Sequence, residues 1–224
     1  MEVRNKLYKN QGIHVITALF TVEQGITKVL LVKRTNKPFA GDWVLTGGAL
    51  YNNEDLEAGA VREIYEKTGI KDICITEFKT FGKVHRSPVM RMVAVGFFGV
   101  IDSKRVSILR ETSTTSNADW FPIDKIPPLG FDHEEILAAA IKELQKKILN
   151  SNILKALYPE TVTLPELQKV YEAILGKKFD RRNFRKKILN LNLLEDTGGQ
   201  TQFDGNKPAK LYRFKRKIED TNIL

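Results

Sequence analysis

A chain of 224 residues with 42% hydrophobic and 28% charged side chains has the balance of an ordinary folded protein, which excludes wholesale disorder and allows one large domain or two small ones. Its least charged run, Val93 to Ile101, is far shorter than the roughly 20 apolar residues that cross a bilayer, and no apolar stretch follows the N-terminal charges as it would in a signal peptide. Cys74 is the only cysteine, so an internal disulfide and a cysteine-rich zinc site are excluded and a cytoplasmic location is the default.

The first half alternates strand and helix patterns. Ile13–Phe20 and Val29–Val32 are short and β-branched, hence strands, and Trp43–Leu45 is a third that ends at the turn signal Thr46-Gly47-Gly48. Residues 54–68 read as a helix, with Leu56, Ala60 and Ile64 every four positions and Gly69 as its stop. Strands are expected at Ile73–Lys83, Met90–Val100 and Ala118–Phe121, the first carrying a buried, inert Cys74. A capping box, Asp132 to Glu135, opens a long helix with Ile136, Ala140, Leu144 and Ile148 on one face. This half is α/β with a mixed sheet. His14, His85 and His133 are too scattered for a metal triad and are assigned to core or surface.

Periodicity weakens over residues 149–162, around Pro159, which places the domain border at about residue 150: 1–150 and 151–224. A second capping box, Thr163-Leu-Pro-Glu166, starts a helix with Leu164, Leu167, Tyr171 and Ile174 in its stripe and Gly176 at its end. Asp180 caps another helix to about Asn190, with Phe184, Ile188 and Leu191 inward. Leu193-Leu194 and Lys210–Lys215 then form a two-stranded ribbon. Helix, turn, helix and ribbon make a winged-helix outline. Net charge is +9, from 36 Lys and Arg against 27 Asp and Glu; residues 151–224 hold 15 basic and 9 acidic side chains, +6 of that excess. The uneven excess reads either as an anionic partner for this third of the chain or as a lysine-rich solvated surface.

Gly48-Ala-Leu-Tyr-Asn-Asn-Glu54, seven further residues, then Arg62-Glu63-Ile64-Tyr65-Glu66-Lys67-Thr68-Gly69-Ile70 is the most specific string of the first half. It resembles the Nudix box: glycine, five residues, glutamate, seven residues, then Arg-Glu-aliphatic-any-Glu-Glu-any-Gly-aliphatic. The resemblance implies a Nudix α/β/α sandwich over about residues 10–148. On a helix, positions 63, 66 and 67 share one face, and three carboxylates there would hold magnesium or manganese for diphosphate cleavage. Position 67 departs from the family pattern: it is lysine. Its ammonium removes one ligand, approaches the others, and stands in the favoured i,i+4 order behind Glu63. The expectation is a vestigial box of Glu54, Arg62, Glu63, Glu66 and Lys67 with no assigned catalytic residue. Metal binding at Glu63 and Glu66 is expected to be weak or absent, so no cofactor is required and Mg2+ or Mn2+ matters only if residual hydrolysis survives. Lys33, Arg34, Arg86 and Arg91, near the expected cleft, are assigned to anchoring an anionic or sugar-containing effector.

In the second half, Lys177 to Lys187 holds seven basic residues and one acid. In a helix–turn–helix, side chains at the start of the second helix meet base edges while flanking cations meet phosphates. Arg181, Arg182, Asn183, Arg185 and Lys186 take those roles, with Arg and Asn suited to guanine and adenine edges. Lys207 and Lys210 are assigned to wing phosphate contacts. The strings Leu164–Glu172, Ile174–Gly176, Asp180–Lys187 and Pro208–Phe214 resemble the C-terminal domain of Nudix-related transcriptional regulators, and Phe131-Asp132-His133 and Arg86–Arg91 are similar to further signatures of that family. The resemblance implies a homodimer that binds palindromic double-stranded DNA and senses ADP-ribose or, in relatives, L-arabinose; the short apolar runs imply no membrane partner. Lys207 replaces a usual arginine in the wing, and Ser87 replaces an acidic residue that often follows the first arginine, which leaves the effector open. The rival reading is a Nudix hydrolase, an ADP-ribose or nucleoside diphosphate pyrophosphatase, with the winged helix as accessory.

Overall fold

The computed structural model describes residues 11–203 and 207–215, without the side chains of Phe203 and Lys207. The chain divides into two compact units, one from residues 11–20, 28–99 and 104–141, the other from 21–27, 100–103 and 142–215. The second unit takes in the end of the long helix from residue 142 and two short segments of the first half.

The first unit is built on a seven-stranded sheet. Strands β1 (Gln11–Glu23), β2 (Ile26–Arg34), β3 (Trp43–Val44), β5 (Ile75–Phe81) and β6 (Arg91–Val100) lie in the order β3-β2-β1-β6-β5. Strand β4 (Thr46–Ala49) pairs antiparallel with β1, and β7 (Thr115–Pro122) antiparallel with β2. Both faces of the sheet are covered, as the unbroken burial of Val15–Thr21 in β1 and Val29–Val32 in β2 requires. Helix α1 (Leu56–Thr68) turns Ala60 and Ile64 to the core and ends at Gly69, whose φ of 74° is the left-handed stop the sequence predicts. Helix α2 (His133–Lys147) buries Ile136, Leu137, Ala140 and Leu144.

Three expectations for this unit are corrected. Gly47 and Gly48 are strand, not turn. A Cβ on Gly47 would lie 2.4 Å from the Val15 carbonyl oxygen, and one on Gly48 would lie 2.2 Å from the Glu63 carboxylate, so these glycines provide space for close approach. The capping box at α2 does not form. The Asp132 carboxylate accepts from Arg86, and Glu135 pairs with Lys83. Cys74 is exposed and precedes β5.

The second unit holds β8 (Val162–Thr163), α3 (Leu164–Leu175), α4 (Arg181–Asn190), β9 (Leu194–Phe203) and β10 (Lys207–Phe214). The sheet order is β8-β10-β9, so the expected two-stranded ribbon has a third strand. That strand is two residues long, too short to show a period. Both predicted caps are present: Thr163 and Glu166 complete a capping box at α3, and the Asp180 side chain accepts from the Asn183 N–H at α4. Leu167, Tyr171 and Ile174 of α3 meet Phe184 and Ile188 of α4 in a core that Tyr212 and Phe214 share. Tyr171 packs edge-on against Phe184 at 5.6 Å and donates its hydroxyl to the Ile148 carbonyl at 2.6 Å. Among the described residues no helix is long and apolar enough to cross a membrane.

Candidate functional site

Register places the box. His14 pairs with Ala49 and Val15 with Gly48, which sets the glycines of β4 beside α1. Glu63, only 5% exposed, packs its carboxylate against Gly48 and accepts from Arg62 at 2.7 Å and from Lys67. Arg62 is the hub of the box. It donates to Glu54 through two nitrogens at 2.9 and 2.7 Å, to Glu66 at 3.1 Å and to the Ala49 carbonyl at 2.9 Å, and lies 3.8 Å from the Tyr51 ring centre. Its hydrogen bond, with that of the Tyr51 N–H, holds the Glu54 carboxyl down to about 2, and Glu54 in turn raises the Arg62 pKa. Glu54, Glu63 and Glu66 each have a cationic partner, and Lys67 stands at the position of the third helix carboxylate. This donor set does not fit a divalent cation, which would have to displace an ammonium and a guanidinium to reach two oxygens of different residues.

A second cluster adjoins the box. Arg86, with 3% of its side chain exposed, makes a two-pronged bridge to Asp132, at 2.9 and 2.7 Å. His133 is buried beside it, and its Nδ1 accepts the Leu45 N–H at 3.0 Å, which fixes a neutral ring. Burial, then Arg86, Arg34 and His14, push His133 down to about 3. Burial, then Arg86, push His14 down to about 4, with Arg34 and Lys67 adding and Glu63 opposing. Arg34 lies 5.2 Å from the Phe131 ring, which stacks on His133 at 5.5 Å. Phe131 has φ 59°, a strained backbone for a non-glycine residue of the kind that collects at functional sites.

The predicted effector cations therefore separate. Arg34 and Arg86 converge on the two histidines. Lys33 stands 6.0 Å from the Trp43 ring centre, and Arg91 donates to the Lys83 and Met92 carbonyls. Arg86 is committed to Asp132 and acts through the field it sets. His14, His133, Phe131 and Asp132 escaped assignment to the site on sequence reasoning, although Phe131-Asp132-His133 stood out as a string. Arg34, His14 and Phe131, each half-buried, are the accessible members of the cluster and offer a guanidinium, a neutral imidazole and an aromatic face to an anionic, ring-containing ligand.

The depressed histidines also carry a pH prediction. With a folded pKa near 3 against 6.5 for a free imidazole, His133 contributes stability that is complete above pH 6.5 and is lost as the pH falls toward 3. At pH 4.5 the loss is about 2 to 3 kcal/mol. Urea unfolding at pH 7 and 4.5 is expected to show it, and His133→Gln, which keeps an acceptor for Leu45, is expected to flatten the acid slope.

In the second unit Arg181, Arg182, Asn183, Arg185 and Lys186 are all exposed on the first turns of α4. Arg181, Arg182 and Arg185 line a cleft of about 490 Å³ with Leu164, Pro165 and Gln168 of α3 and Pro208, Ala209 and Lys210 of β10. Lys210 already bridges Asp196 at 2.9 Å, so a phosphate there would share it with a carboxylate. The side chain of Lys207 lies outside the described residues. The exposed cations at the start of α4 stand where a helix–turn–helix presents side chains to the major groove of duplex DNA.

Comparison with known proteins gives this geometry a context. Residues 12–145 match the NUDIX domain model, and residues 154–214 match that of the NrtR DNA-binding winged helix domain. The ADPR responsive transcriptional repressor NtrR of Acinetobacter baylyi is 32% identical over 220 residues, 96% of this chain and 87% of that one. An ADP-ribose pyrophosphatase of Methanocaldococcus jannaschii is 30% identical over 56% of this chain and 72% of its own length. The crystal structure of Shewanella oneidensis NrtR complexed with a 27mer DNA superposes with a TM-score of 0.75 at 32% identity, covering 91% of this chain and 93% of that one. The NUDIX domain of the same protein, complexed with ADP ribose, superposes with a TM-score of 0.58 at 30% identity, covering 64% and 94%.

Proposed function

The chain belongs to the Nudix family, in the branch that carries an NrtR-type DNA-binding winged helix, and on that premise we propose that it is a transcriptional repressor whose hold on DNA responds to ADP-ribose. The observation that carries the reading is the state of the box: every carboxylate of Glu54, Glu63 and Glu66 is paired with Arg62 or Lys67, while Arg181, Arg182 and Arg185 of α4 are exposed and, among the described residues, form no salt bridge. A diphosphate bound in the first unit is held rather than cleaved. Arg34 supplies charge, Lys33 and Arg91 flank the cleft, and burial together with the Arg86 guanidinium keeps the two histidines neutral. Arg181, Arg182, Asn183, Arg185 and Lys186 meet bases and phosphates, and Lys207 and Lys210 meet phosphates from the wing. The protein acts in the cytoplasm as a homodimer on a palindromic site. Effector binding favours an arrangement of the dimer in which the two α4 helices no longer match half-sites one turn apart, and differential affinity for the two arrangements supplies the free energy.

The test is selection of a consensus duplex from a randomised library, then titration of that duplex and a scrambled one at fixed salt. ADP-ribose is added in the presence of EDTA. Consensus binding that ADP-ribose releases without metal is the expected result. Equal binding to both duplexes, or magnesium-dependent release of nucleoside monophosphate at ordinary enzyme rates, would replace this reading with that of a hydrolase.

A further inference from the structure

Only Lys177, Lys178 and Phe179 separate the Gly176 stop of α3 from the Asp180 cap of α4. So short a link has few internal partners for its own backbone, yet it sets the direction of the helix that follows. Two side chains of α3, four residues apart and so on one face, take that backbone in hand. The Glu172 carboxylate accepts the Phe179 N–H at 2.9 Å, and the Gln168 amide donates to the Phe179 carbonyl at 2.9 Å. Gln168 also donates to Glu172 at 2.9 Å, and the Lys178 ammonium reaches the second Glu172 oxygen at 2.9 Å. Both backbone polar groups of the residue just before the α4 cap are thus held by one pair of α3 side chains. The carboxylate is 11% exposed, and these donors hold it down to about 2. On the other side of the link the Phe179 ring meets Phe184, the first buried residue of α4, at 5.8 Å.

We infer that Glu172 is a positioning residue for DNA reading: it latches the α3–α4 link and so aims the exposed side chains at the start of α4. The inference rests on the DNA-binding reading above. Hydrogen bonds to base edges are lost within a few tenths of an ångström and a few tens of degrees, whereas attraction to phosphates tolerates a displaced helix. Loosening the latch therefore costs sequence-specific binding and leaves non-specific binding in place. A residue that merely stabilised the unit would lower both together through the folded fraction.

The full-length protein is titrated with the wild-type consensus duplex and with a scrambled duplex, as wild type, Glu172→Ala, Glu172→Asp and Glu172→Gln. Aspartate keeps the charge but is one methylene too short for Phe179. Glutamine keeps the acceptor and loses the charge. The alanine and aspartate variants are expected to lose at least tenfold on the consensus and less than twofold on the scrambled duplex, with unchanged salt dependence and ADP-ribose binding. The glutamine variant is expected within threefold of wild type on both. The aspartate variant decides the matter if alanine prevents folding. Equal losses on the two duplexes, no loss on the consensus, or a glutamine variant as weak as the aspartate one overturns the inference. Failure of the wild type to select any consensus removes the DNA-binding reading itself, and the inference with it.

Discussion

Asp132→Ala is expected to lower the free energy of unfolding by about 3 to 5 kcal/mol, the range for removing one partner of a buried ion pair. Arginine keeps its charge in proteins, and with only 3% of the Arg86 side chain exposed the Asp132 carboxylate is the partner that balances it. Both of its bonds to Asp132 disappear together in the variant. Urea unfolding at pH 7 gives the number. The double variant Asp132→Ala with Arg86→Met, which leaves no charge stranded, is expected to recover most of the loss, and with wild type and Arg86→Met alone the four stabilities give the coupling directly. A single-variant loss below about 1 kcal/mol, the level of an exposed pair, would mean that Arg86 finds water or another acceptor. Its field on His14 and His133 would then need a different account.

That pair also marks where the sequence stops speaking. Arg86 and Asp132 are 46 positions apart, and the Leu45 to His133 bond spans 88. Spacing rules see neighbours within a turn or two, so Asp132 followed three residues later by Glu135 looked like a cap although both side chains answer to partners elsewhere. The same blindness explains Gly47-Gly48. A pair of glycines reads locally as a turn, whereas their role is set by the Val15 carbonyl and the Glu63 carboxylate across the fold. Cys74 differs for a smaller reason: the strand begins at Ile75, two residues after the start of the apolar pattern, and the cysteine falls on the exposed approach. Three local interactions are legible in the sequence. The Glu63–Lys67 pair, the Thr163–Glu166 box and the Asp180 cap all join residues three or four apart. The α/β class and the winged helix followed from such local patterns in order.

Arg181, Arg182 and Arg185 together are expected to supply most of the affinity for DNA. Replacing all three with alanine is expected to weaken consensus binding at physiological salt about a thousandfold or more, since a side chain on a base edge contributes about 1 to 3 kcal/mol and a lost phosphate contact removes one released counterion. The unit should unfold at an unchanged temperature, because all three side chains are exposed and the core contacts of α4 come from Phe184 and Ile188. Single variants separate the roles. One that weakens consensus and scrambled duplexes equally, and lowers the salt slope by about 1, loses a phosphate contact. One that weakens the consensus alone, at an unchanged slope, loses a base. Arg185 is the most constrained of the three, since its charge also bears on the Asp196–Lys210 pair of the hairpin. Its removal is therefore expected to alter how Lys210 divides between Asp196 and a phosphate, and Arg185→Ala should become closer to wild type when Asp196 is also replaced by asparagine. If the triple variant still binds the consensus within tenfold, the reading surface is not α4, and the hairpin cations become the place where sequence is read.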